Sequence, residues 1–272
     1  MTDPTRRSLA LAAAAAPLLA VLGNTAPAAA APRRSTVFVA GDSTASVYPT
    51  AAAPRAGWGQ ALPVFTGPHL TVDDRALSGA SSKSFADLGL LDGILADLRT
   101  GDRLLVSFGH NDEKTSDPAR GTDPYTTYQQ YLRRYLDGAR SRGALPVLVT
   151  SVERRRFDAD GRALASHGAY PQAMRDLAAA ERVPLVDLQA LSLALWQQLG
   201  PEGTKAYFLW REPGGNYPDG VADNTHFQAH GAIEVARLVA ADLHRQHLLP
   251  PGSLRGLGRP VPDDRPVWPP TI

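Results

Sequence analysis

The sequence predicts an α/β domain in which a parallel sheet carries helices on both faces. Two observations lead there. Short, almost wholly apolar runs ending in glycine recur along the chain, as strands buried on both faces do. Between them lie segments with apolar residues at helical spacing, and strands alternating with helices imply crossover connections and hence a parallel sheet. No internal repeat or linker breaks the pattern, so a single domain is expected.

Residues 35–40 (Ser-Thr-Val-Phe-Val-Ala), closed by Gly41, form the first expected strand. Residues 58–65 read as a short helix opened by glycines, and residues 70–76 as a strand running into a small-residue loop at 77–84. A helical pattern covers 88–98, and 103–108 is a second clear strand, ending at Gly109. An amphipathic helix is expected over 125–142, closed by Gly143, and another buried strand over 144–152. Residues 153–164 carry Asp160-Gly161, a hairpin signal. Then come a helix at 171–182, a strand at 183–188 and a helix at 188–199. Residues 200–224, rich in glycine, proline and aromatics, read as irregular, and 230–248 as the last helix.

The ends read differently. Arg6 and Arg7, the apolar run 9–22 and the small residues 26–30 stand in the order of a secretory signal peptide. The run is shorter than the roughly 20 residues a membrane-spanning helix needs. Thr5-Arg6-Arg7-Ser8-Leu9 also fits a twin-arginine signal, so export to periplasm or medium is expected. The expected organisation is a leader at 1–30, a domain at 31–250 and a proline-rich tail at 251–272. No second long apolar stretch occurs, so no membrane span is expected in the mature protein. The chain contains no cysteine, and a core of this size can supply stability without disulfides. With 28 basic against 27 acidic residues, the charge balance points away from a nucleic-acid partner.

Ligands of such sheets bind beyond the carboxyl ends of the strands. Three polar clusters fall at that edge or within reach of it: Gly41-Asp42-Ser43-Thr44, Gly109-His110-Asn111-Asp112 and Asp223-Asn224-Thr225-His226. Each alone is a turn or a helix cap. Together they hold the parts of acyl transfer. A serine hydroxyl needs a neutral imidazole to take its proton, and the imidazole needs a carboxylate to fix its tautomer. Asp223 and His226 lie three residues apart, so one turn brings them side by side. An oxyanion needs preorganised donors, each worth about 2.7–4 kcal/mol in the transition state. The N–H groups of Ser43 and Gly79 and the Asn111 side-chain amide are the candidates. Trp58, Trp210, Asn216 and Tyr217 are candidate sugar contacts. Arg154-Arg155-Arg156 reads first as a solvated hairpin edge, and as a steering patch for uronate-bearing chains if the substrate is pectic.

The set resembles the SGNH (GDSL-type) hydrolases, with Ser43 in Gly-Asp-Ser, Gly79 in the second block, Asn111 in Gly-x-Asn-Asp, and Asp223 and His226 in Asp-x-x-His. Within them it is most similar to the rhamnogalacturonan acetylesterases, through Gly-Asp-Ser-Thr, Gly57-Trp58-Gly59-Gln60, Gly109-His110-Asn111-Asp112 and Asp223-Asn224-Thr225-His226-Phe227. One departure is Ala80, where that family often has arginine after the glycine. The resemblance implies a three-layer α/β/α flavodoxin-like SGNH fold with an exposed active site. It also implies two-step hydrolysis without metal or cofactor, acting on an acetylated polysaccharide or oligosaccharide such as the rhamnogalacturonan of pectin.

Rival readings separate on particular residues. Gly41-Asp42-Ser43-Thr44-Ala45 comes within one residue of the Gly-x-Ser-x-Gly elbow of the larger α/β-hydrolases, but those separate their acid and histidine widely. His226 and His230 have the spacing of a zinc pair, but Phe227 stands where a zincin has glutamate. A broader lipase, lysophospholipase or thioesterase of the SGNH type shares the same blocks. A non-catalytic carbohydrate-binding protein would keep the fold without needing an intact Ser43, Asp223 and His226.

Overall fold

A computed structural model describes residues 34–271, and the leader expected over 1–30 lies outside the described residues. The first apolar run forms β1 (Ser35–Gly41). A loop then leads through β2 (Arg55–Ala56), one helical turn α1 (Trp58–Ala61) and β3 (Leu70–Asp74). Helices α2 (Ser82–Asp87) and α3 (Leu90–Asp97) precede β4 (Arg103–Ser107). Then follow α4 (Gln129–Ser141), β5 (Leu145–Val149), α5 (Tyr170–Glu181), β6 (Leu185–Val186) and α6 (Leu188–Gly203). The chain continues through β7 (Phe208–Arg211), β8 (Val221–Gln228) and α7 (Ala229–Arg245).

Five strands build a parallel sheet in the order β3-β1-β4-β5-β6. Counted by appearance within that sheet the order is 2-1-3-4-5, the flavodoxin-like winding, and the direction of winding reverses between β1 and β4. Gly41 stands opposite Ser107 in the register, so the loops leaving β1 and β4 emerge side by side at that crevice. Alternation along β1 sets the layers: Val37 and Val39 point to one face, Phe38 and Ala40 to the other. The first face packs on Trp58, Trp196 and Ile233 of α1, α6 and α7. The second packs on Phe85, Ile94, Leu132 and Met174 of α2 to α5. The result is the three-layer α/β/α arrangement expected.

Two segments differ from expectation. The small-residue loop at 77–84 ends early because Ser81 caps α2. Its hydroxyl accepts from the Ser84 N–H, and the Ser84 hydroxyl accepts from the Ser81 N–H. The stretch 200–224 is not irregular throughout. Phe208 and Leu209 are buried, and Phe208, Trp210 and Arg211 pair with β8, giving a second, antiparallel sheet in the order β2-β8-β7. The prolines and glycines that suggested irregular structure fall at the kinked end of α6 (Gly200, Pro201, Gly203) and in the connection from Pro213 to Gly220.

Beyond α7 the chain takes no helix or strand but is strapped to the domain. Gly67 N–H donates to Ser253 O (2.7 Å) and Arg255 N–H to Phe65 O (2.8 Å). Gln60 Nε2 donates to Val267 O (2.8 Å), Thr50 N–H to Pro269 O (2.8 Å), and Trp268 Nε1 to Arg55 O (2.8 Å). The far end of the strap therefore backs the loop between β1 and α1.

Candidate active site

Ser43 sits in the turn that leaves β1. The Asp42 carbonyl accepts from Ala45 and Ser46 N–H, both at 3.1 Å, and Asp42 Oδ1 accepts from Thr44 N–H (2.9 Å) and Thr44 Oγ1 (2.8 Å). Tyr48 Oη donates to Ser43 O at 2.6 Å. The start of α1 closes over this turn, with Trp58 N–H on Thr44 O (2.9 Å) and Gly59 N–H on Ala45 O (3.1 Å). That approach explains Gly57: a Cβ there would lie 2.3 Å from the Ala45 carbonyl carbon. The side chain of Ser43 is held at the crevice, at 8% exposure.

Asp223 and His226 arrive on β8. Trp210 pairs with Ala222 and Phe208 with Phe227, so two steps along β7 face five along β8. The extra length bulges out as Asp-Asn-Thr-His, a device that re-aims side chains out of a sheet. Within the bulge Asp223 Oδ1 accepts from the N–H groups of Thr225 (2.7 Å) and His226 (3.0 Å). Asp223 Oδ2 lies 2.7 Å from His226 Nδ1, and His226 Nε2 lies 2.9 Å from Ser43 Oγ. Burial pushes the Asp223 carboxyl up, but the bonds from the His226 ring and backbone and from Thr225 outweigh it and hold the carboxyl at about 2. Asp223 is then an acceptor only, so Nδ1 carries the ring proton and Nε2 accepts from the Ser43 hydroxyl. That is the alignment in which a hydroxyl can be deprotonated.

Asn111 follows β4. Its Nδ2 donates to Ala80 O (2.8 Å) and its Oδ1 accepts from Lys114 Nζ (2.8 Å), which fixes the amide orientation and leaves one amide hydrogen for a ligand. Gly79 has φ +84°, the left-handed region, with open space where a Cβ would stand. The N–H groups of Ser43 and Gly79 make no loop or turn hydrogen bond among the described residues. Beneath them lie buried polar anchors. Asp112 accepts from the Ser82 N–H and from Thr122 Oγ1 (3.3 Å), and burial raises its carboxyl to about 7. His110 Nδ1 lies 3.4 Å from Asp42 Oδ2, and burial holds the imidazole down at about 4, neutral at pH 7.

Ser43, Gly79, Asn111 and His226 thus line one hollow of about 320 Å³, with Thr225 at its edge. Arg55, Lys114 and Arg154, which the sequence did not mark as neighbours of Ser43, line the same hollow. Arg154 is paired with Glu113.

The expected sugar contacts lie elsewhere. Trp58 is not one: it is fully buried in the core between the sheet and α7, where no ligand reaches it. Trp210, Asn216 and Tyr217 line a separate depression of about 880 Å³. There Asn216 Nδ2 donates to Thr50 O (3.0 Å) and Ala53 O (2.8 Å), and Tyr217 Oη to Ala52 O (2.7 Å). His230 bonds Asp263 (3.2 Å) and stacks edge-on with Tyr207. Among the described residues no three His, Asp or Glu side chains gather as a metal site would require. Nor is any described helix long and apolar enough to cross a membrane.

Residues 39–232 match the model of the GDSL-like lipase/acylhydrolase family. The chain is 49% identical over 206 residues to the rhamnogalacturonan acetylesterase RhgT of Bacillus subtilis, covering 75% of this chain and 87% of that one. It is 42% identical over 204 residues to the probable rhamnogalacturonan acetylesterase YesY of the same organism, covering 75% and 90%. Among solved structures, protein YxiM of Bacillus subtilis superposes with a TM-score of 0.69 at 27% identity, over 79% of this chain but only 57% of that one. A catalytic mutant of Axe2, an acetylxylan esterase from Geobacillus stearothermophilus, shares the fold with a TM-score of 0.55 at 14% identity, over 78% and 94%.

Proposed function

Because the chain belongs to the GDSL-like lipase/acylhydrolase family and is a carboxylic-ester hydrolase, we propose that it removes O-acetyl groups from carbohydrate with Ser43 as nucleophile. The observation that carries this reading is the unbroken relay from Asp223 through His226 to Ser43, at 2.7 and 2.9 Å, beside a hollow lined by polar groups. In the proposed reaction Ser43 Oγ adds to the ester carbonyl while His226 Nε2 takes its proton. The oxyanion is received by the N–H groups of Ser43 and Gly79 and by Asn111 Nδ2. Collapse of the intermediate breaks the bond to the sugar oxygen, which leaves with the proton held by His226. Water, deprotonated by the same imidazole, then releases acetate and restores Ser43. The carboxylate of Asp223 stabilises the imidazolium in both halves.

The substrate we propose is the acetylated rhamnogalacturonan of pectin, supported by the 49% identity to a rhamnogalacturonan acetylesterase. We also propose export through the leader at 1–30, supported by its charge and apolar pattern. The test is hydrolysis of p-nitrophenyl acetate and acetate release from acetylated pectin, xylan and chitin fragments. Ser43→Ala is expected to lower kcat by about 10⁴-fold or more while the protein remains folded. Retention of activity in that variant would sink the assignment.

A further inference from the structure

The parallel pairing of β1 with β4 ends at Gly41 opposite Ser107. Ser43 and Asn111 both lie beyond that last pair, yet both must aim donors at one oxyanion. Each turn is fixed within its own surroundings. Ser43 O accepts from Tyr48 Oη (2.6 Å), and the Asn111 amide is held between Ala80 O and Lys114 Nζ (both 2.8 Å). Between the two turns, 42–46 and 109–114, one side-chain polar contact is made among the described residues, His110 Nδ1 to Asp42 Oδ2 at 3.4 Å. It joins the residue before Ser43 to the residue before Asn111.

His110 is 4% exposed, and burial leaves its imidazole neutral at pH 7. Burial pushes the Asp42 carboxyl up, but the His110 ring and the bonds from Thr44 outweigh it and hold the carboxyl below its ordinary value. A carboxylate only accepts, so the single ring proton sits on Nδ1 and faces Asp42. Nε2 is then a bare acceptor, shut off from water without a partner. An unpaired buried acceptor lowers stability, and a leucine would avoid that loss. The ring is nevertheless restrained in this pose. His167, itself bonded to Val152 O (2.9 Å), packs edge-on against it with centroids 4.3 Å apart.

We propose that His110 is a positioning residue of the oxyanion hole: by donating from Nδ1 to Asp42 it holds the Ser43 N–H and the Asn111 amide at the spacing one oxyanion requires. The inference rests on the esterase reading of Ser43. His110 acts through Asp42 and takes no proton in the reaction. A donor displaced by about 1 Å costs up to about 10²-fold in rate, so a loose tie between the turns would be felt in the transition state more than in substrate binding.

The test combines kinetics on p-nitrophenyl acetate with inhibition by a small alkylboronic acid. Ser43 Oγ bonds to boron, its proton passes to His226, and one oxygen of the tetrahedral adduct occupies the oxyanion hole. His110→Leu is expected to lower kcat by about 10- to 100-fold with KM within about twofold, and to weaken boronic-acid inhibition by a similar factor. His110→Asn, whose amide can stand where Nδ1 stood, should recover most of both losses. His110→Gln, which reaches to the place of Nε2, should recover little. Wild-type kcat in His110→Leu overturns the proposal, as do equal losses in the Leu and Asn variants or a loss of kcat with inhibition unchanged. Better recovery by Gln than by Asn also overturns it, since Nε2 would then be the working nitrogen. Should the variants not fold, ¹⁵N NMR of the wild-type imidazoles decides: His110 is expected as the Nδ1–H tautomer at neutral pH, and the Nε2–H tautomer overturns the proposal. Each of these failures leaves the esterase standing as long as wild type cleaves p-nitrophenyl acetate. Failure to cleave that ester would overturn the esterase reading and the role of His110 with it.

Discussion

Arg155 grips Asn224 at two points, its N–H donating to the Asn224 carbonyl at 2.8 Å and its guanidinium to the Asn224 side-chain oxygen at 3.1 Å. The same oxygen accepts from Trp210 Nε1 at 3.1 Å, and the Arg155 guanidinium continues to Pro201 O. Asn224 lies between Asp223 and His226, so this clamp sets the shape of the bulge that presents both. Arg155 and Trp210 thereby hold the bulge in shape. Displacements of about 1 Å cost up to about 10²-fold in rate. Asn224→Ala is expected to lower kcat about tenfold with KM little changed, and Arg155→Met to act in the same direction. Steady-state kinetics on p-nitrophenyl acetate check this, and an unchanged kcat in both variants would contradict it.

Asp223→Asn tests the relay. An amide can donate where only an acceptor serves, so the imidazole loses its fixed tautomer and kcat is expected to fall roughly 10²–10⁴-fold. The same residue shapes acid stability. Its folded pKa of about 2 lies below the unfolded value of roughly 3.9. The contact therefore stabilises fully above about pH 4 and loses that contribution as pH falls through about 2. Urea unfolding at pH 5 and pH 3 should show wild type and Asp223→Asn drawing closer at the lower pH. A gap that widens would contradict the sign.

Asp74 should act in the opposite sense. Burial raises its carboxyl to about 8, and Oδ2 has no partner beside Gly59. Between about pH 4 and pH 8 the unfolded chain ionises while the folded chain keeps the proton, so stability declines as pH rises. Asp74→Asn is expected to gain melting temperature relative to wild type at pH 8 compared with pH 5. Asp112, raised to about 7, contributes a similar decline to both proteins, so the difference between them carries the test. Parallel pH profiles would remove Asp74 as the cause.

Trp268 ties the strap to the Arg55 backbone and packs against the core. Trp268→Ala is expected to cost roughly 1–3 kcal/mol of stability through lost packing and one hydrogen bond. Denaturant unfolding measures this, and an unchanged midpoint would mean that the strap lies loose.

Much of this could be read from the chain because some patterns have a single physical meaning. An apolar run such as Val37 to Ala40 ending in glycine has few homes other than a strand buried on both faces. Ser43 and Asn111 stood out because their blocks follow strands of the parallel sheet, and Asp223 and His226 because three residues separate them in one block able to reach that edge. What stayed hidden depends on distant partners. Trp58 looks the same in sequence whether it stacks on sugar or fills a core, and here it fills the core. Phe208 and Phe227 form a sheet only by pairing across a loop whose prolines and glycines read as irregular structure. Arg55 gave no local sign beyond being a lone charge in an alanine-rich loop. Its place beside Ser43 comes from a register with Gln228 that no short window contains.

The stretch matched by the family model stops at residue 232, inside α7, yet the backbone that seats Arg55 leans on Trp268 and Pro269. Anyone cloning this protein by its family boundary would sever α7 after its first turn and discard the brace.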